Sequence, residues 1–335
     1  MQVAKEKGAS AIFIVPEDFR QNVRTMIHYI ESSSMVLDMG KAVKSKRLTN
    51  FYISPKMADE ILKGTGETIE SLKKKIKKKT ITLTCSTSVS IGMHRKTENL
   101  SSENVLGFIE GTDKKDEVVI LTAHYDHIGI DLKNDEVYNG ADDDGSGTVA
   151  LLEIAEAFAK AKAEGNGPRR SILIMPVAGE EKGLLGSEYY SENPVYPLDR
   201  TIVDLNIDMI GRLDEKHADD PNYVYIIGST MLSTELHAIN EKANSTYTNL
   251  DSDYEFNTID DPNRYYYRSD HYNFAKKNIP VIFYFNGVHV DYHKPTDTVD
   301  KINYEKMETI TKLVFYTAWQ LANQEKTIEV DVVQE

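Results

Sequence analysis

The sequence predicts an α/β fold, a mostly parallel mixed sheet flanked by helices. Three observations carry that prediction. Beyond about residue 100, short apolar runs alternate with helical patterns. Acidic residues and histidines gather at the ends of those runs, where open α/β sheets place their ligands. The length, 335 residues, suffices for one large domain and an extra lobe.

The elements read as follows. Gln2 to Lys7 form a helix end that Gly8 stops. Ala11–Val15 is a buried strand. A helix end and a strand with nothing before them suggest missing upstream sequence, so the lack of a signal peptide after Met1 leaves location open. A strand at Phe51–Ser54 and a helix at Met57–Leu62 complete a small lobe, residues 1–66, closed by Gly64 and Gly66. Residues 67–335 form the second domain. It begins with six lysines in seven residues, Lys73–Lys79, read as a solvated face. Thr80–Ile91, rich in Thr, Ser, Ile and Val, reads as an edge strand. Further strands are expected at Asn104–Ile109, Val118–Ala123, Ser171–Val177, Ile202–Ile207, Tyr223–Ile227 and Val281–Phe285. Helices are expected at Gly147–Ala163, Leu184–Ser191, Thr234–Ala243 and Tyr304–Ala322. Val149, Leu152, Ala155 and Ala159 form the expected apolar stripe of the first of these.

Composition narrows the function. A formal net charge of −14 argues against a nucleic-acid partner. No apolar run approaches the roughly 18 residues that span a bilayer. The single cysteine, Cys85, excludes an internal disulfide; with no histidine nearby it reads as a small packed residue.

The chemistry sits at strand ends. Val118–Ala123 runs into His124-Tyr125-Asp126-His127. Asp142-Asp143-Asp144 precedes the long helix. Ser171–Val177 leads to Glu180-Glu181, Ile202–Ile207 to Asp208, and Val281–Phe285 to Tyr292-His293. Each has an ordinary structural explanation alone; an aspartate before a helix is usually a cap. Together they place carboxylates that would repel one another unless a cation held them. Two histidines and three carboxylates suit a pair of zinc-like ions. Two metals roughly 3.5–4 Å apart can polarise a carbonyl and activate a water. A free carboxylate must then carry the proton to the leaving amine, a division of labour that Glu180-Glu181 offers. Asp126 is placed to orient the His124 ring.

These residues resemble the co-catalytic zinc aminopeptidase and glutamate-carboxypeptidase group of clan MH. The match lies in "TAHYDH" (122–127), "NGADDDGSGTVALLE" (139–153), "GEEKGLLGSEYY" (179–190), "NIDMIGR" (206–212) and "DYHKPTDT" (291–298), and covers about residues 70–325. The resemblance implies a zinc-dependent exopeptidase fold and two Zn2+ per chain. Asp143 would bridge the ions, with His124 and Asp208 on one and Glu181 and His293 on the other. It implies Glu180 as general base, Asp126 as the partner of His124, and a cis Asp143–Asp144 peptide. Tyr292 looks like the tyrosine that stabilises the oxyanion in some members; Tyr266, ahead of Ser269-Asp270-His271, competes with it. "AKEKGASAIFIV" (4–15) and "YISPKMADEIL" (52–62) look like half of a protease-associated domain.

The implied activity is removal of the first residue from peptides with a free N-terminus, whose ammonium the acidic site would favour. Secretion or periplasmic placement is implied with it. A carboxypeptidase or dipeptidase of the same group would need a basic patch, for which Arg212 and Arg268 are the nearby arginines. A non-catalytic binding relative would lack ligands, and here all five positions are filled. No Gly-x-Ser-x-Gly or His-Glu-x-x-His pattern supports a serine or single-zinc mechanism. The aromatic stretch Tyr265-Tyr266-Tyr267 is open to either pocket lining or packing.

Overall fold

The structure is a computed structural model that describes residues 2–31, 33–40, 48–92 and 96–332. It divides into two compact units, Met1–Leu100 and Ser101–Glu335.

In the first unit, α1 (Gln2–Glu6), β1 (Ala11–Ile14), α2 (Phe19–Glu31), β2 (Thr49–Tyr52), α3 (Pro55–Ile61) and α4 (Ile69–Ile76) follow in order. β1 and β2 pair in parallel. The Ser54 side chain caps α3 by accepting from the Met57 amide, and Thr68 with Ser71 forms a capping box on α4. Residues 80–92 form no strand, against expectation. Threonine and serine favour extended backbone, but this stretch is almost wholly exposed. It has no apolar face to press against a neighbour and pairs with no strand.

The second unit comprises β3 (Gly107–Ile109), β4 (Lys114–His124), β5 (Gly129–Asp131), β6 (Glu136–Tyr138), α5 (Gly145–Ala163), β7 (Arg170–Val177), α6 (Leu185–Glu192), β8 (Thr201–Ile207), β9 (Tyr223–Ile227), α7 (Thr234–Ala243), β10 (Asp251–Asp253), α8 (His271–Ala275), β11 (Val281–Phe285) and α9 (Tyr304–Asn323). The main sheet has seven strands in the order β10-β9-β11-β8-β4-β7-β3. Pairing is parallel for β10/β9, β11/β8, β8/β4 and β4/β7, and antiparallel for β9/β11 and β7/β3.

Strand alternation builds a core on each face. Val119, Leu121 and Ala123 face α5 and α9, while Val118 and Ile120 join Leu173, Met175, Tyr223 and Phe283 on the other side. The helix stripe is a correction. α5 buries Ala150, Leu151, Ile154 and Phe158, whereas Val149 and Leu152 are 46% and 58% exposed. Both sets repeat at helical spacing. The bulkier one, with Phe158 stacked on Trp319 of α9, takes the core.

Candidate metal centre

β4, β7 and β8 lie side by side in parallel, and β11 runs parallel to β8. Their carboxyl ends therefore open on one edge. His124 is the last residue of β4 and Asp208 directly follows β8. Glu180 and Glu181 begin a 3-10 turn after β7, entered through Gly179 at φ 74°. Asp143 precedes the N-terminus of α5, and Tyr292 and His293 lie in the loop after β11.

These side chains converge. His124 Nε2 lies 3.2 Å from Asp143 Oδ1, 3.7 Å from Asp208 Oδ1 and 3.9 Å from Glu180 Oε2. His293 Nε2 lies 3.1 Å from Asp143 Oδ2 and 3.3 Å from Glu181 Oε1. The two oxygens of Asp143 thus face two different donor groups. One group is His124, Asp143 and Asp208; the other contains Asp143 and Glu181 with His127, which the sequence reading did not assign. Within each group the donor atoms lie within 4.8 Å of one another. Asp143 Oδ2 and Glu181 Oε1 are buried, and among the described residues neither has a hydrogen-bond partner. Buried carboxylate oxygens of this kind call for a counter-charge. The imidazole and carboxylate donors present fit zinc-like ions.

The surroundings hold the donors in place. The Asp143–Asp144 peptide is cis. Asp144 Oδ1 accepts from the amides of Gly147 (2.9 Å) and Met209 (3.1 Å), and Oδ2 from the amide of His124 (3.1 Å). One carboxylate thereby ties the α5 terminus to the ends of β4 and β8. Asp208 Oδ2 accepts from Ser269 Oγ at 2.7 Å, leaving Oδ1 toward His124. Asp297 accepts from the amides of Asp142 and Asp143, and Asp142 accepts from the Gly211 amide at 2.6 Å. Asp126 acts differently from expectation. The His124 Nδ1 partner at 2.9 Å is the backbone carbonyl of Asp126, not its carboxylate. That carboxylate instead accepts from the amides of Glu180 (3.1 Å) and Glu181 (3.4 Å).

One pocket adjoins the cluster, lined by Asp143, Glu180, Asp208, Tyr292 and His293 together with Tyr265, Arg268 and apolar Met209, Phe283, Phe285 and Val288. Tyr292 stacks on His293 with ring centroids 3.8 Å apart. Tyr266 is 1% exposed and packs within the hydrophobic core, so Tyr292, not Tyr266, lines the pocket. Arg212 does not line this pocket; it pairs with Asp291 at 2.9 Å and lies 3.7 Å from Asp297.

Electrostatics separate the two glutamates. Burial pushes the Glu180 carboxyl well above the ordinary carboxylate range, assisted by Asp208, Asp270 and Glu181 and opposed by His124. Burial would also raise Glu181, but the His127 and His293 imidazoles beside its Oε1 outweigh burial and hold it at about 2. Burial alone would lower His293; Asp143 and Glu181 bring it up to about 9. His124 is likewise raised, by Asp208 and Asp143 against burial.

Comparison with known proteins agrees with this architecture. The model of peptidase family M28 matches residues 104–318. Aminopeptidase YwaD of Bacillus subtilis (strain 168) is 26% identical over 236 residues, covering 68% of this chain and 46% of that protein. A probable glutamate carboxypeptidase, LAMP1 of Arabidopsis thaliana, is 39% identical over 107 residues, 32% of this chain and 14% of that protein. The crystal structure of Legionella pneumophila LapA aminopeptidase superposes with a TM-score of 0.53 at 26% identity, covering 67% of this chain and 55% of that one. The chain spans about half or less of the length of these relatives. Among the described residues no helix is long and apolar enough to cross a membrane. The family model covers well over half of the residues, and the chain belongs to peptidase family M28.

Proposed function

We propose that this chain is a zinc-dependent aminopeptidase that holds two ions and releases the first residue of peptides with a free N-terminus. The observation that carries the reading is Asp143, whose two oxygens face two separate donor groups, while Glu180, a member of neither, lines the pocket beside them. His124, Asp143 and Asp208 would hold one ion; Asp143, Glu181 and His293 would hold the other. Bound there, the ions would polarise the scissile carbonyl and lower the pKa of a water.

The remaining work falls to the chain itself. Glu180 Oε2 sits 3.9 Å from the His124 ring and lines the pocket. A carboxyl whose pKa is raised by burial is suited to take a proton from water and return it to the leaving amine. The Tyr292 hydroxyl, kept protonated because burial and then Asp143 and Asp208 raise its pKa, would donate to the oxyanion. The surplus of carboxylates would attract an N-terminal ammonium. The apolar wall of Met209, Phe283, Phe285 and Val288 would receive the first side chain. In the same reading the two-stranded N-terminal unit is part of a protease-associated lobe. Placement outside the cytoplasm, which the family resemblance implies, belongs to the proposal and is tested by cell fractionation.

Glu180→Gln tests the division of labour. It should retain two zinc ions while turnover falls by about 10²–10⁴-fold, the scale of a lost general base. Near-normal turnover would remove Glu180 from that role. Arg268, exposed at the pocket, is the one observation favouring a carboxypeptidase. It predicts release of the last residue instead of the first.

A further inference from the structure

His127 is absent from the five-ligand pattern, yet the fold delivers its ring to the same carboxylates. Its side chain is 9% exposed, with Nδ1 3.0 Å from Glu181 Oε1 and 3.8 Å from Asp143 Oδ2. Both ring nitrogens are buried, and among the described residues neither has a hydrogen-bond partner. A buried imidazole without partners is costly unless something else binds it. Room for the ring is built into the backbone. Gly140 adopts φ 62°, and a Cβ there would lie 2.6 Å from His127 Cγ. The His127 and His293 rings meet edge to face with centroids 5.8 Å apart, and both nitrogens approach Glu181 Oε1, at 3.0 and 3.3 Å.

Donor separations decide what this arrangement holds. Around zinc, N and O ligands sit at about 2.0–2.2 Å in a tetrahedron, which sets neighbouring donors about 3.3–3.6 Å apart. The four separations from the two imidazoles to Asp143 Oδ2 and Glu181 Oε1 run from 3.0 to 3.8 Å and bracket that value.

We propose that His127 is a direct ligand of the ion held by Asp143, Glu181 and His293. The inference rests on the two-ion reading above. It makes the two sites unequal. Four protein ligands close this site, as in structural zinc centres, whereas His124, Asp143 and Asp208 leave an open position at the other. The closed site is the tighter one, and the open one is where water and substrate exchange.

Zinc titration of the chelator-stripped full chain against a competing chromophoric chelator tests this, with His127→Gln and His127→Asn as variants of similar shape. Wild type should take up two ions. The variants should keep the second-site affinity and lose more at the tight site than the roughly 10–100-fold that removing a mere hydrogen-bonding partner of a ligand costs. In parallel, the 15N resonance of His127 Nδ1, assigned by its loss in the glutamine variant, should shift on the first equivalent of zinc. Circular dichroism of the stripped variants verifies the fold, and the wild-type resonance answers the question even if both variants misfold. Two ions bound with an unmoved Nδ1 resonance, or an unchanged tight site in the variants, would overturn the role of His127 alone. Fewer than two ions in wild type would overturn the two-ion reading and this assignment with it.

Discussion

Zinc uptake should release protons in an amount that the site geometry fixes. The perturbation is pH, applied to chelator-stripped protein. His293 is held at about 9 because Asp143 and Glu181 outweigh its burial. A group with that pKa is about 99% protonated at pH 7, against about a quarter for an ordinary histidine at 6.5. His124 is raised as well, through Asp208 and Asp143. Metal binding requires neutral imidazole, so both rings must give up a proton. Loading should therefore release about one proton from His293 and a further contribution from His124 at pH 7, where two unperturbed rings together would release about half of one. Affinity should climb about tenfold per pH unit for each proton displaced, and His293 should cease to contribute above about pH 9. Calorimetry in buffers of different ionisation enthalpy counts the protons directly. The stripped protein carries the reciprocal signature. A raised folded-state pKa means that the stabilisation from His293 is complete below about 6.5 and is lost as pH rises through about 9. Glu181, held at about 2, has the opposite sign: its contribution is present above its ordinary value and lost as pH falls through about 2. Release of half a proton or less at pH 7, or affinity flat from pH 7 to 9, would show that His293 is not held protonated by Asp143 and Glu181.

Two further predictions concern the frame. Phe158→Ala should cost about 3–5 kcal/mol in chemical denaturation, since the ring is fully buried beside Phe315 and Trp319, while Leu152→Ala on the exposed face should change stability by less than about 0.5 kcal/mol; the reverse order would contradict the observed orientation of α5. Gly147→Ala would place a Cβ 2.5 Å from both Asp144 Oδ1 and the Ile207 carbonyl, so it should lower stability by about 1–3 kcal/mol and weaken zinc uptake together; a neutral effect on both would mean that Asp144 can move without consequence.

Much of the catalytic unit is legible in the sequence because its signals are local. Strands such as Ser171–Val177 and Ile202–Ile207 are short apolar runs, and the segments that follow them carry the metal-type side chains Glu180, Glu181 and Asp208. What escapes the sequence is set by partners distant along the chain. The face of α5 depends on α9, which offers Trp319 and Phe315 to Phe158. Thr80–Ile91 has strand composition but no neighbour to complete it. Asp126 looks like a ring-orienting carboxylate at two residues from His124, yet that spacing lets the backbone carbonyl reach the ring first and frees the side chain for the Glu180-Glu181 turn. His127 was visible three residues beyond His124. Its part in the cluster depends on Gly140 and on Glu181, and no spacing in the sequence encodes that meeting.

The proposed activity is zinc-dependent removal of an N-terminal residue. It is tested most directly by following one peptide with a free N-terminus and its N-acetylated twin, with added zinc, after chelation, and after zinc is restored. The expected result is release of the first residue from the free peptide alone, abolished by chelator and recovered with zinc. Cleavage of the acetylated peptide at its carboxyl end, or cleavage indifferent to the chelator, would contradict it.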